Sequence, residues 1–169
     1  MTHRLLFVCL GNICRSPSAE NIMNYLLQQR GLVGLLECDS AGTSGYHVGA
    51  PPDRRMNAAA QRKLGISLQG RSRRFEAYDF NEFDLILAMD QENYEQLYYL
   101  DRQGQYRHKL RMMCEFCRQH DLKEVPDPYY GGEAGFDFVI ELLLDACAGL
   151  LDELIATGTI APSSSPIQQ

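Results

Sequence analysis

Leu5-Leu6-Phe7-Val8-Cys9, running into Leu10-Gly11-Asn12-Ile13-Cys14-Arg15-Ser16-Pro17, is the stretch on which the fold turns. Five successive apolar residues with no polar alternation fit a strand buried on both faces, as in a parallel sheet covered by helices. Ser16 and Pro17 read as a helix N-cap and first helical residue. Behind them Ala19, Ile22, Met23, Leu26 and Leu27 recur at helical spacing up to a stop at Gly31. A tight turn between buried strand and helix points successive backbone N–H groups inward, and the helix N-terminus adds positive potential, which makes a cradle for an oxyanion. The loop is not a nucleotide loop of the GxxxxGK[ST] type, because it lacks the second glycine and the lysine.

Inside such a cradle the helix dipole and the Arg15 guanidinium both favour a Cys9 thiolate. Arg15 offers a planar fork that binds two phosphate oxygens at once. Gly11 permits close backbone approach, and Asn12 is a residue type that tolerates left-handed backbone. Ser16, one turn from Cys9, can hydrogen-bond the sulfur. The bare C-x5-R spacing carries little weight: with six cysteines and thirteen arginines in the chain, one chance match is expected roughly half the time. The strand before it, the helix after it and the serine that follows make it informative, and Cys9 is the only cysteine that meets the spacing.

Outward from this loop the chain alternates. Strands are predicted over Leu35–Ser40, ahead of the turn-rich AGTSG, over Phe83–Met89, and more weakly over Lys109–Met113. Helices are predicted over Met56–Leu64, stopped by Gly65, over Gln91–Asp101, and along the apolar stripe from Phe136 to Leu154. Alternation of this kind predicts an α/β fold with a parallel sheet covered on both faces. Ligands bind such sheets at the carboxyl ends of the strands, which marks Cys9 onward, Ser40 onward and Met89 onward. Residues 1–160 read as one domain, and the tail APSSSPIQQ over 161–169 as a flexible end.

Composition narrows the partners. The 169 residues are 45% hydrophobic and 22% charged with a formal net charge of −6, so no global basic field attracts nucleic acid or an anionic membrane. Arg54 and Arg55, and the group Arg71, Arg73 and Arg74, read as solvated faces. No apolar run approaches the ~20 residues of a membrane span, and the amino terminus does not read as a secretory signal. A cytoplasmic location with reduced cysteines is the expectation. The oligomeric state stays open, with a monomer favoured.

The octet CLGNICRS resembles the signature of the low-molecular-weight protein tyrosine phosphatases. Three further segments in the same order extend the resemblance along nearly the whole chain: DSAGTSGYHVGAPPD, LILAMD and DPYYGG. The resemblance implies a four-stranded parallel sheet, a phosphate-binding loop after the first strand, and hydrolysis of phosphotyrosine on proteins with no cofactor and no metal. It implies Cys9 as nucleophile, Arg15 as phosphate clamp and Asp127 as general acid. Leu10, Gly11, Asn12, Ile13, Cys14 and Ser16 complete the phosphate loop, which Ser40 helps to hold in shape. Tyr46, Tyr129 and Tyr130 match aromatic walls, and Cys14 matches a second cysteine that can form a protective disulfide with the nucleophile. One departure stands out: the histidine that often follows Gly65-Ile66 in the family is absent from SLQGRSRR.

The chemistry reads consistently beside it. A phenolate has a conjugate pKa near 10, so its departure at neutral pH benefits from a donated proton. Asp127, between Pro126 and Pro128 with Gly131 and Gly132 as a hinge, can supply it, and an acid-side pH optimum follows. Ile13 with Tyr130 favours phosphotyrosine over phosphoarginine, since the related arginine phosphatases carry Thr in place of Ile13. The other alternative, an arsenate reductase on the same scaffold, needs a further nucleophilic cysteine, which Cys114 or Cys117 would have to provide. That Cys-x2-Cys pair reads first as packing, as do Cys38 and Cys147. His47 reads as a solvated loop residue.

Overall fold

A computed structural model describes residues 2–162. Four strands, β1 (His3–Cys9), β2 (Leu36–Gly42), β3 (Leu85–Ala88) and β4 (Leu110–Met112), form one sheet in the order β2-β1-β3-β4. All neighbours run parallel, with Cys9 opposite Gly42 and Val8 opposite Ala88. The helices are α1 (Arg15–Gln29), α2 (Arg54–Leu64), α3 (Asp79–Glu82), α4 (Gln91–Leu100) and α5 (Glu133–Ala156). The chain leaves β1 toward β2 on one side and later returns to β3 on the other. The carboxyl end of β1 is therefore where the strand order reverses, the place where such sheets open a ligand crevice.

The unbroken apolar run of β1 has its reason in two cores. Leu5, Phe7 and Cys9 pack into the layer built from α1, α2 and α5, while Leu6 and Val8 join Phe75, Phe80, Phe83 and Leu97 on the opposite face. Each such buried aliphatic or aromatic side chain contributes roughly 1.5–3 kcal/mol. The stripe expected from Phe136 to Leu154 is the buried face of α5, which starts three residues earlier and ends two later. Gly149 on that helix sits so close to the Met113–Phe116 turn that a Cβ there would lie 1.8 Å from the Phe116 carbonyl oxygen.

Several boundaries differ from the sequence reading for local reasons. Strand β2 continues through Ala41 and Gly42, because the ladder to β1 continues to Cys9. Only glycine fits at position 42, where a Cβ would approach the Leu10 carbonyl oxygen to 2.7 Å. Helix α2 starts at Arg54, since Asp53 caps it by accepting from the amides of Arg55 and Met56. Ser16 is not an N-cap: α1 begins at Arg15 with Cys14 at the cap position and no side-chain capping bond, and Pro17 is its third residue. There the missing Pro N–H has no helical partner to lose. No helix among the described residues is long and apolar enough to cross a membrane. The tail expected over 161–169 lies, from residue 163 on, outside the described residues.

Candidate active site

The loop from Cys9 to Arg15 wraps around the Cys9 sulfur. The Asn12 amide donates to Cys9 Sγ at 3.3 Å, and Ser16 Oγ lies 3.0 Å from the same sulfur. Asn12 takes the left-handed conformation at φ 56°, alone among the described non-glycine residues, and buried hydrogen bonds hold it there. Its Nδ2 donates to Ser16 Oγ at 2.8 Å and Ser40 Oγ at 2.9 Å, while its Oδ1 accepts from the Arg73 amide at 2.9 Å. Neighbouring segments brace the loop through the backbone: Thr43 and Ser44 donate to the carbonyls of Cys9 and Leu10, and the Asp53 amide donates to that of Ile13. The Ser72 hydroxyl donates to the Gly11 carbonyl at 3.0 Å.

Arg15 is 3% exposed and oriented from two sides. Nη1 donates to Asp90 Oδ2 at 2.6 Å and to the Val125 carbonyl at 3.0 Å, and Nη2 lies 3.8 Å from Asp127 Oδ2. Burial opposes its charge, but Cys9, Asp90 and Asp127 outweigh burial and hold the guanidinium above its ordinary pKa. Asp90 serves two partners, because its other oxygen caps α4 by accepting from the Asn93 amide at 2.8 Å. The segment that carries Asp127 is tied to β3 through the Val125 amide, which donates to the Met89 carbonyl. Asp127 itself accepts from the Tyr129 amide at 3.0 Å and stays exposed. Cys14 is buried, and burial together with the charges of Asp53, Cys9 and Asp127 pushes its thiol well up, so it remains protonated while the loop turns its polar groups to Cys9.

Cys9, Leu10, Gly11, Ile13, Cys14, Arg15, His47, Asp127, Tyr129 and Tyr130 enclose one cleft at the carboxyl end of β1. The Tyr129 and Tyr130 rings meet edge to face at 4.9 Å, and the His47 ring lies 6.2 Å from Tyr129. The Arg55 guanidinium sits over the rings of Tyr129 and Phe136 at 5.2 and 4.7 Å.

The profile of the family described as low molecular weight phosphotyrosine protein phosphatase matches residues 4–159. The chain belongs to this family. It is 58% identical over 151 residues to the Synechocystis protein slr0328, which carries a provisional name in the low molecular weight protein-tyrosine-phosphatase family; the match covers 89% of this chain and 96% of that one. It is 36% identical over 153 residues to the human low molecular weight phosphotyrosine protein phosphatase, covering 90% of this chain and 96% of the human one. Among solved structures, a crystal structure of the protein tyrosine phosphatase from Entamoeba histolytica superposes with a TM-score of 0.87 at 43% identity, over 93% of this chain and 99% of that one.

For a chain of the low molecular weight phosphatase family, the sequence reading and the cleft differ at several places. Tyr46 is 91% exposed and not among the lining residues. Its neighbour His47, read as a solvated loop residue, lines the cleft instead, because the loop crosses beside Gly11 and turns the following side chain inward. Ser40, read as a support of the loop, lies behind it and is bonded to Asn12. Cys114 and Cys117 lie on and just beyond the Met113–Phe116 turn, away from the cleft lining. Among the described residues no group of three or more His, Cys, Asp or Glu side chains is arranged to hold a metal ion. Asp90 was missed. Its one signal was its place directly after the third strand, and its partner Arg15 is 75 residues away in the chain.

Proposed function

We propose that this chain hydrolyses phosphotyrosine monoesters on proteins through a phosphocysteine intermediate. The observation that carries the reading is the convergence of the Cys9 sulfur, the buried Arg15 guanidinium and the Asp127 carboxyl on one cleft walled by Tyr129 and Tyr130. Arg15 and the loop amides hold the phosphoryl oxygens, and the thiolate attacks phosphorus as the P–O bond to the phenol breaks. Asp127, protonated, gives its proton to the departing phenolate. The resulting carboxylate then takes a proton from water as that water attacks phosphorus. The S–P bond breaks, inorganic phosphate leaves, and the Ser16 hydroxyl, 3.0 Å away, stabilises the returning thiolate.

The aromatic walls and Ile13 favour an aryl phosphate over phosphoarginine. An arsenate reductase would require, besides the loop cysteines, a further nucleophilic cysteine in a flexible segment near Cys9, and neither Cys114 nor Cys117 lines the cleft. We place the reaction in the cytoplasm, a reducing compartment that keeps cysteines as thiols, on a single-domain monomer. In this reading a Cys9–Cys14 disulfide protects the nucleophile from oxidation beyond the reversible stage. The test is hydrolysis of p-nitrophenyl phosphate and of phenyl phosphate with chelator present. Cys9→Ser should abolish both, and Asp127→Ala should slow phenyl phosphate by about 10²-fold or more while affecting the better leaving group less. Full activity of Cys9→Ser, or equal effects of Asp127→Ala on the two esters, would overturn the mechanism.

A further inference from the structure

The bonds that hold Asn12 continue past Ser40. Ser40 Oγ donates to Glu20 Oε1 at 2.7 Å, so a continuous chain runs from Glu20 on α1 through Ser40, Asn12 and Ser16 to the Cys9 sulfur. The Asn12 amide sets the direction at the centre of the chain. Because Asn12 Oδ1 accepts the Arg73 amide, Nδ2 must be the donor to both serines. Ser40, already accepting from Asn12, sends its own proton to Glu20. Ser16, likewise accepting, has its own proton available to Cys9 Sγ at 3.0 Å, the nearer of its two acceptors, and to the Ala41 carbonyl at 3.4 Å; toward a Cys9 thiolate only Ser16 can be the donor.

We propose that Glu20 is a positioning residue for the reaction above, holding Ser40 and Asn12 so that the Ser16 hydroxyl points at the Cys9 sulfur. The inference rests on Cys9 being the nucleophile. It assigns the far end of the support network to a carboxyl group, in a chain whose 65–74 segment offers no histidine. Without Glu20, Ser40 has no acceptor for its proton and is free to turn. Asn12, held in a left-handed conformation, then loses a fixed partner. The charged and titratable groups facing Glu20 are Cys38 and Asp39 from β2 and Arg73 from the segment after α2. Arg73 is itself bonded to Asp39 and Asp79, so it does not form an ion pair with Glu20. Burial raises the Glu20 carboxyl to about 7, in keeping with a group recruited for its hydrogen-bonding oxygen.

The experiment compares Glu20→Ala, Glu20→Leu and Glu20→Gln with wild type, Glu20→Leu covering the case in which the smaller side chain impairs folding. Two readouts are taken on folded protein: kcat and KM for p-nitrophenyl phosphate, and the rate of Cys9 alkylation by iodoacetate at pH 6, followed on the Cys9 peptide by mass spectrometry. Removing the acceptor should lower kcat and the alkylation rate about tenfold, the worth of one net hydrogen bond, with KM within about twofold. Glu20→Gln, whose amide oxygen still accepts from Ser40, should keep both rates within about threefold of wild type. Wild-type rates in Glu20→Ala and Glu20→Leu, a change confined to KM, or a Glu20→Gln variant as slow as Glu20→Ala would overturn the proposal. Alkylation needs no turnover, so a wild type that fails to cleave the ester refutes the phosphatase reading while the role of Glu20 is still decided.

Discussion

Replacing Asp90 by asparagine tests a long-range contact that supports the cleft. Asp90 has two oxygens and two obligatory donors: Arg15 Nη1 at 2.6 Å and the Asn93 amide at 2.8 Å. An asparagine has one oxygen and an NH2 group, so one of those donors must face another donor. If the oxygen stays on Asn93, the charge-assisted bond to Arg15 is lost, a contribution of about 1.5–3 kcal/mol. If it turns to Arg15, the cap of α4 is lost, at about 1 kcal/mol, and the carboxylate charge beside a 3% exposed guanidinium is gone in either case. Losing one partner of a fully buried pair costs about 3–5 kcal/mol. Asp90 is 20% exposed, and Arg15 keeps the Val125 carbonyl, so Asp90→Asn should cost about 2–3 kcal/mol. Asp90→Ala, which loses the cap as well, should cost about 1 kcal/mol more. Urea unfolding at pH 6 measures both. Repeating it with added inorganic phosphate adds a second reading, since a ligand bound only by the folded state stabilises it in proportion to its affinity. A loosened Arg15 should make that gain smaller in the variant. Stability within 0.5 kcal/mol of wild type, a margin typical of surface substitutions, together with an unchanged phosphate gain, would refute the reasoning.

Glu20 gives a pH-dependent prediction. Its folded-state pKa is raised from 4.5 to about 7, so the stability it confers as a neutral group is fully present below pH 4.5 and lost as pH rises through 7. The shift corresponds to about 3 kcal/mol; wild type should lose up to that amount relative to Glu20→Gln between pH 5 and 8, and parallel stability profiles would exclude it. Peroxide-inactivated enzyme should recover with dithiothreitol, and Cys14→Ser should recover poorly; equal recovery would remove Cys14 from a protective role. At Gly149 a Cβ would sit 1.8 Å from the Phe116 oxygen, so Gly149→Ala should destabilise by about 3 kcal/mol. That is a drop in Tm of roughly 6 °C or more, and a rise in Tm, as helix propensity alone would give, would contradict the close approach.

The sequence by itself determined what depends on neighbours along the chain. The apolar run into Cys9, the glycine and asparagine of the loop and the stripe of α5 are patterns of period and turn chemistry, and they lead to a parallel sheet with an anion cradle at the end of β1. The place of Asp127 at the cleft was legible from its Pro-flanked loop and the family resemblance. Local signals also misled where two roles compete for one residue: Ser16 has the chemistry of a cap, but the sulfur of Cys9 claims its hydroxyl. Tyr46 and His47 are adjacent, and only the path of the loop past Gly11 decides which side chain enters the cleft. What the tertiary structure alone decided are the long-range pairings, Arg15 with Asp90 and Ser40 with Glu20. Neither carboxylate has any periodicity or spacing that distinguishes it from the other acidic residues. Each acquires its role because the sheet brings its strand or helix to within 3 Å of a donor buried far away in sequence, where an unpaired charge or hydroxyl would be costly.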